Sequence, residues 1–457
     1  WFFGDYIQTN KKIDYSIKKI TSNKDSLEIT IKNKRNITAP VALYGVKDKE
    51  IKVKKWFTGI DSVKTVRIAK GDFNKISLNY EQLYPEYNSL DNWKRIHRSI
   101  LNKPIQFRFL SDIEDPYYHQ IFYQPEIGYN YYDGISLGLK LHNKSIIYKN
   151  FIFKIIPSYA TKSQSVTGAF SVMYNQYLEN SKIQKISYGL VASNSHYAPK
   201  LSYNVFTPFV SIAFNRKSLR DVGGSALTAK LVKINKESAS NTMTEEQDKY
   251  SVLNLSYAYS KPNIIEGIQY KVTADFGTNF SKFSTDFRYR KLTGKDRQLD
   301  FRFFGGFFVN NRTTGNYFSF GLDRPSDYLF EQNYFGRSES SGIFSQQVII
   351  ADGGFKSKLP TRYANQFMVS FNSSVGLWKW VEFYTDVAFL KNRGSSTYFA
   401  YENGIRFNFV HNIFEFYFPL YSNLGWEINQ QAYSTKIRFV LTANPTAIYN
   451  FIRRGFL

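Results

Sequence analysis

The sequence predicts an all-β protein: a transmembrane antiparallel β-barrel of about 16 strands, preceded by a small immunoglobulin-like β-sandwich. Three observations lead there. Long stretches alternate apolar and polar residues with a period of two. The composition is very aromatic, yet mean hydropathy is negative. Short and long connections alternate along the second part of the chain. The stretch from Arg297 to Asn310 shows the first point best. Leu299, Phe301, Phe303, Gly305, Phe307 and Val309 fall on one side of it, and Gln298, Asp300, Arg302, Phe304, Gly306, Phe308 and Asn310 on the other. Successive side chains leave a strand on opposite faces, so this pattern is a strand. About 12 residues is long for one, since five or six is usual.

Composition narrows the class. Aromatic residues make up 18% of the 457 residues, with 41 Phe and 35 Tyr, well above ordinary globular usage. Strands of a membrane barrel alternate apolar-out with polar-in, so a long window over them never reads as hydrophobic. No run of 18 apolar residues occurs, which excludes a transmembrane helix. Cysteine is absent, and with it disulfides and thiolate metal sites. The net charge of +23 is spread along the whole chain rather than gathered in a patch. That distribution speaks against nucleic acid as a partner and for a basic surface beside anionic lipid head groups. The chain opens at Trp1 without a signal-peptide pattern, and we expect it to begin inside a longer protein.

Residues 1–95 read as the sandwich, placed in the periplasm. Ile13–Ile20, Ser26–Lys32, Ala39–Val46, Glu50–Trp56, Val63–Ile68 and Lys75–Tyr80 are short alternating runs parted by turn-type residues. Leu83–Arg95 reads as an irregular cap, and 96–104 as a linker.

The barrel is expected over 105–443. Its strands centre near 121–131, 134–143, 150–160, 166–177, 184–195, 201–215, 224–235, 249–260, 266–279, 281–290, 297–309, 366–377, 380–391, 397–408, 411–421 and 432–442. A count of 14 follows if 121–143 pairs differently. On each strand the charged residues share one side, which must line the interior. A charge facing lipid near the midplane costs about 2–4 kcal/mol. Counting back from a descending last strand, the short turns at Lys261–Asn263, Leu377–Lys379 and Val410–His411 fall on the periplasmic side. The long connections Lys236–Asp248, Asn311–Ala364, Lys391–Thr397 and Asn423–Gln431 fall outside. The loop 311–364 is too long for a plain connection and reads as a folded cap or inward plug. Phe304, Phe308 and Tyr384 point inward, so the lumen is expected to be partly filled. The tail 444–457 places Ile448, Phe451, Ile452 and Phe456 on one helical face beside Arg453-Arg454, either an interfacial anchor or a simple end.

Chemistry is sparse. His97, His119, His142, His196 and His411 show no metal-ligand spacing, and no HExxH occurs. His196 falls at an outer turn and His142 near a periplasmic one, neither with a diagnostic partner in sequence. Gly336-Arg337-Ser338 lacks the strand–turn–helix setting of a nucleophile elbow. No catalytic, cofactor-binding or metal-ligating residue is assigned.

Several stretches carry a family resemblance. WFFGDYIQTNKKIDYSIKKI opens the chain, and LNYEQLYPEYNSLDNWK closes the sandwich. NKPIQFRFLSDIEDPYYHQIFYQPEIGYNYYDGISLGLKLHNK opens the barrel, and RPSDYLFEQNYFGRSESSGIFSQQ lies in the long loop. Together they resemble the C-terminal part of large outer-membrane proteins of Bacteroidota with an aminopeptidase-like, gluzincin-type metallopeptidase region upstream. The resemblance implies zinc only in that upstream region, and no motif residue transfers to this chain. It leads us to expect an outer-membrane anchor and scaffold, with lipid and lipopolysaccharide around it and other outer-membrane proteins as partners. The alternatives are a small-solute channel, or the membrane anchor of an active zinc aminopeptidase.

Overall fold

The computed structural model describes residues 2–35, 37–97, 102–146, 149–179, 181–218, 220–238, 245–263, 265–294, 297–332, 334–336, 341–411 and 413–441. The tail reading over 444–457 and the Arg337-Ser338 pair lie outside them. The chain forms two compact units, residues 1–123 with 143–148, and 124–142 with 149–457.

In the first unit the strands are β1 Tyr15–Ser22, β2 Ser26–Asn33, β3 Val41–Lys47, β4 Glu50–Phe57, β5 Val63–Ala69, β6 Lys75–Leu78 and β7 Trp93–Arg95. They form two small sheets, ordered β1-β2-β5 and β4-β3-β6-β7. Alternation decides which side is covered: β2 buries Leu27, Ile29 and Ile31, and β5 buries Val66 and Ile68. These pack with Ile17, Leu43, Ile76 and Leu78 from the other strands in one core. Two stretches differ from expectation. Trp93–Arg95 is a strand on β6, not part of an irregular cap. The linker reading gives way at Asn102 and Lys103, whose side chains donate to the carbonyls of Trp93 and Leu90. A further short strand, β8 Ile105–Phe109, which alternates over five residues only, then pairs in parallel with the start of β9 His119–Asn130.

The second unit is built on one large sheet. β10 Gly134–His142, β11 Phe151–Ala160, β12 Ser165–Tyr177, β13 Ile183–Ala198, β14 Leu201–Phe214, β15 Gly224–Lys236, β16 Lys249–Lys261, β17 Glu266–Gly277, β18 Phe280–Leu292 and β19 Gln298–Asn311 follow as antiparallel neighbours. Two dipeptides inside the long loop, β20 Phe320–Gly321 and β21 Tyr363–Ala364, pair with each other. The sheet resumes with β22 Phe367–Trp378, β23 Val381–Lys391, β24 Tyr398–Val410 and β25 Phe414–Ser422. β26 Gly425–Trp426 and β27 Arg438–Leu441 both pair with β25. Without the short β8 and β26, sixteen strands of the sheet lie among the described residues. The expected last strand over 432–442 is shorter than alternation suggested. Ala432 adopts a left-handed φ of 56°, Tyr433–Thr435 closes as a single 3-10 turn, and only Arg438–Leu441 is extended.

The two faces of this sheet differ sharply. On β22, Met368, Ser370, Asn372 and Ser374 are buried while Val369, Phe371 and Val375 are exposed. On β23, Glu382, Tyr384, Asp386, Ala388 and Leu390 are buried while Phe383 and Phe389 are exposed. The buried face is the mixed and charged one. A water-soluble sheet has this the other way round.

Candidate functional site

The covered face is covered by the chain itself. The connection between β19 and β22 folds onto it and inserts Phe318, Phe320, Leu322, Tyr328, Phe355 and Leu359, each at most 6% exposed. Phe320, Leu322, Phe355 and Leu359 pack with Phe304, Met368, Ala388, Leu390 and Ala400 of β19 and β22–β24. Phe318 and Tyr328 pack with Val252 and Phe280 of β16 and β18. Leu329 and Phe330 reach Val205, Val232 and Ile234 on β14 and β15. Sheet and loop each make room with a glycine. A Cβ on Gly306 would come within 2.7 Å of the Phe320 ring. Gly354 has a φ of +74°, and a Cβ there would meet Asn372 at 2.5 Å. Both the backbone angle and the close approach call for glycine.

A polar layer lies beside these apolar contacts. The Arg302 guanidinium donates to Asp286 at 2.7 and 3.0 Å and to the Asn372 carbonyl oxygen at 3.1 Å. Asn372 in turn donates to the Gly353 carbonyl and to Asp386, both at 2.9 Å. From the loop, Lys356 donates through Nζ to Asp386 at 2.6 Å. The backbone N–H groups of Lys356 and Ser357 donate to the Glu402 carboxylate at 2.7 and 2.6 Å. Toward the short turns, Arg406 spans Glu415 at 2.8 Å, Glu382 at 2.9 Å and Asp300 at 3.3 Å. Hydrogen bonds to charged groups are worth about 1.5–3 kcal/mol each. Removing one member of a buried pair costs more, about 3–5 kcal/mol, because its partner keeps an uncompensated charge. Several such bonds join the loop to β22–β24, so they hold it in one position. Within the loop, Asp352 accepts from the Gly321 N–H at 3.0 Å. Enclosure raises its pKa above the usual carboxylate range, against the pull of Lys282.

Beyond Gly354 and Lys356 a cavity of about 270 Å³ remains, lined by Arg288, Arg290, Arg302, Arg406, Tyr384 and Tyr417 among others. Phe304 and Tyr384 are buried as the alternation of their strands predicts, and Phe308 packs against the loop. The filling comes mainly from the loop, however, and less from the strand side chains.

The histidines are scattered. His142 is buried at the end of β10, and His411 lies 3.1 Å from Arg406. His196 has a partner that its sequence neighbours do not reveal. Its Nδ1 is 2.6 Å from Asp133 and its backbone N–H donates to the same carboxylate. Asp133 also accepts from the Ser163 hydroxyl at 2.9 Å. This arrangement ties together three turns, near 133, 163 and 197. Ser163 donates to Asp133 rather than to His196, so the nucleophile–base contact that acyl transfer needs is not made.

The loop also meets both ends of the strand series. The Phe335 carbonyl accepts from the Tyr131 N–H at 2.6 Å, in the turn after β9. The Phe344 ring lies 4.9 Å from that of Tyr131. A few residues on, the Gln346 side chain donates to the carbonyls of Ser434 and Ile437, and the Val348 N–H donates to Phe439 in β27.

No protein-family model matches the chain, and neither does any curated protein. Among solved structures it is similar to CdiB from Acinetobacter baumannii at a TM-score of 0.30 and 14% identity. That match covers 65% of this chain and 55% of the other. A likeness at that level carries no argument about function, which rests on the molecule itself.

Proposed function

We propose that the large sheet closes on itself as an outer-membrane barrel, plugged by the 311–364 loop, and acts as an anchor and scaffold rather than a pore. The observation that carries this reading is the inverted sheet. Leu137, Val166, Phe206, Leu255, Phe307, Phe371, Phe383 and Phe399 are all exposed, on strands from β10 to β24. A soluble monomer rarely shows an apolar patch above a few hundred Å², so this face needs hydrocarbon beside it. Trp378 and Trp380 are exposed at the short β22–β23 turn, flanking Lys379, as in the aromatic girdles of membrane proteins. Closure is supported by three loop residues: Phe335 and Phe344 meet Tyr131 in the turn after β9, and Val348 bonds to Phe439 in the last strand. A sheet in lipid cannot leave an open edge.

In this reading the short turns and the N-terminal unit face the periplasm and the long loop faces outward. Lipid and lipopolysaccharide surround the barrel, and other envelope proteins dock on it. The resemblance to metallopeptidase-like outer-membrane proteins supports a second part to the role, holding an upstream, zinc-dependent region at the membrane. The channel reading draws on the charged cavity by Arg288 and Arg406. Planar-bilayer recording separates the two. The plugged scaffold gives no steady conductance until residues 312–362 are replaced by a short linker. Large, steady conductance from the intact chain would support the channel instead.

A further inference from the structure

We propose that the cavity between the loop and β17–β25 takes a small organic monocarboxylate, held through its carboxylate by Arg290. Five cations line this space: Arg288, Arg290, Arg302, Lys356 and Arg406. Four of them are already bonded to carboxylates of the wall. Arg288 and Arg302 both grip Asp286, Lys356 holds Asp386, and Arg406 spans Glu382, Glu415 and Asp300. Arg290 is the exception. It makes no hydrogen bond or ion pair with any described residue, and its Nε is buried without an acceptor. The residue directly across the sheet from it is Asp300, but Gln298 and Arg406 occupy that carboxylate. A guanidinium fork thus lines the cavity with its donors unused.

Such a fork accepts a planar pair of charged oxygens, since two parallel N–H···O bonds fit a carboxylate. One unpaired cation calls for one negative charge. A dianion would bring a second, and the other four cations are already matched. Gln269, on the strand beside Arg290, lines the same cavity and adds an amide. The loop decides what the rest of the ligand is. Val348 and Ile350 line the cavity too, and Ile350 is exposed although it belongs to the folded loop. An apolar body set against these two side chains would cover it. The space of about 270 Å³ falls below the roughly 300–1,000 Å³ of pockets for drug-sized ligands, so that body is a single ring or a short chain. The site does not depend on whether the barrel anchors a partner or conducts, because loop and sheet meet around it in both readings.

The test uses the full chain in zwitterionic detergent, with benzoate as the probe and benzamide, of the same shape but uncharged, as its control. Titration calorimetry should show saturable binding of benzoate, about tenfold or more tighter than benzamide. Inorganic phosphate at matched ionic strength should compete less well than unlabelled benzoate does. Arg290→Gln should weaken benzoate about tenfold or more. It should leave the melting temperature nearly unchanged, because Arg290 holds no partner in the wall. Ile350→Asn should weaken benzoate and spare acetate, which has no body to place there. The proposal is overturned if benzoate binds no better than benzamide, or if Arg290→Gln binds it as tightly as the parent. Phosphate binding as tightly as benzoate, or an Ile350→Asn variant that binds benzoate unchanged, would also contradict it.

Discussion

The two units obey opposite rules with the same kinds of residue. In the first, Leu27, Ile29 and Ile31 of β2 turn inward to a dry core, and Glu28 turns outward to pair with Arg67 across the sheet. In the second, Arg302, Asp386, Glu402 and Arg406 are the buried ones, while Phe303, Phe371, Phe383 and Phe399 stand outside. Charge is buried there only because it finds charge of the other sign, and it does so across strands and from the loop. The difference shows what alternation reports: it separates two faces, and the surrounding medium decides which one becomes the interior.

The strongest way to break the contrast is inside the polar layer. Arg406→Leu leaves Glu382, Glu415 and Asp300 without their shared cation. It is expected to cost about 3–5 kcal/mol in urea unfolding from lipid vesicles. A cost near zero would mean that the layer is solvated. Next comes the outer face. Phe371→Lys should destabilise by about 2–4 kcal/mol in the same assay, whereas an exposed Phe on a soluble sheet would accept lysine at little cost.

The first unit sharpens the comparison through pH. Burial lifts the Asp14 carboxyl to about 6 and that of Glu86 to about 7. Both folded pKa values lie above their unfolded ones, so the folded unit binds the extra protons. The resulting stability is fully present below pH 4 and is lost as pH rises through 6 and 7. Amide exchange in residues 13–95 should therefore slow between pH 8 and 5, once intrinsic exchange rates are corrected for. Glu86→Gln should flatten that trend, and an unchanged slope would exclude Glu86 as its source. The smallest effect belongs to a water-facing ion pair. Arg67→Ala, which frees Glu28, should leave the unfolding midpoint of the first unit nearly unchanged, because exposed pairs are screened by solvent.

Much of the strand layout was legible because alternation is local. Ile135, Leu137, Leu139 and Leu141 against Ser136, Gly138, Lys140 and His142 needs no knowledge of what lies opposite. The short pieces escaped for the same reason. Trp93–Arg95 is three residues held by its partner β6, and Ile105–Phe109 alternates over only five residues, too short a run to stand out without its partner β9. The site was less legible still. Lys356 meets Asp386, and Asp133 meets His196, across 30 and 63 residues of chain. No spacing rule links them. Gly306 was the available signal, since a glycine amid bulky strand residues marks another backbone or ring coming close. In Arg297–Asn310 that visitor is Phe320.

The central claim is that hydrocarbon wets the Phe-bearing face while the charged face is sealed by the loop. The chain has no cysteine, so single-cysteine variants carry one spin label each. Labels at 303, 371 and 383, measured in reconstituted vesicles, should be relaxed by molecular oxygen and shielded from a water-soluble nickel complex. Labels on the sandwich surface at 64 and 67 should show the reverse. Strong nickel relaxation at 303, 371 and 383 would contradict the account.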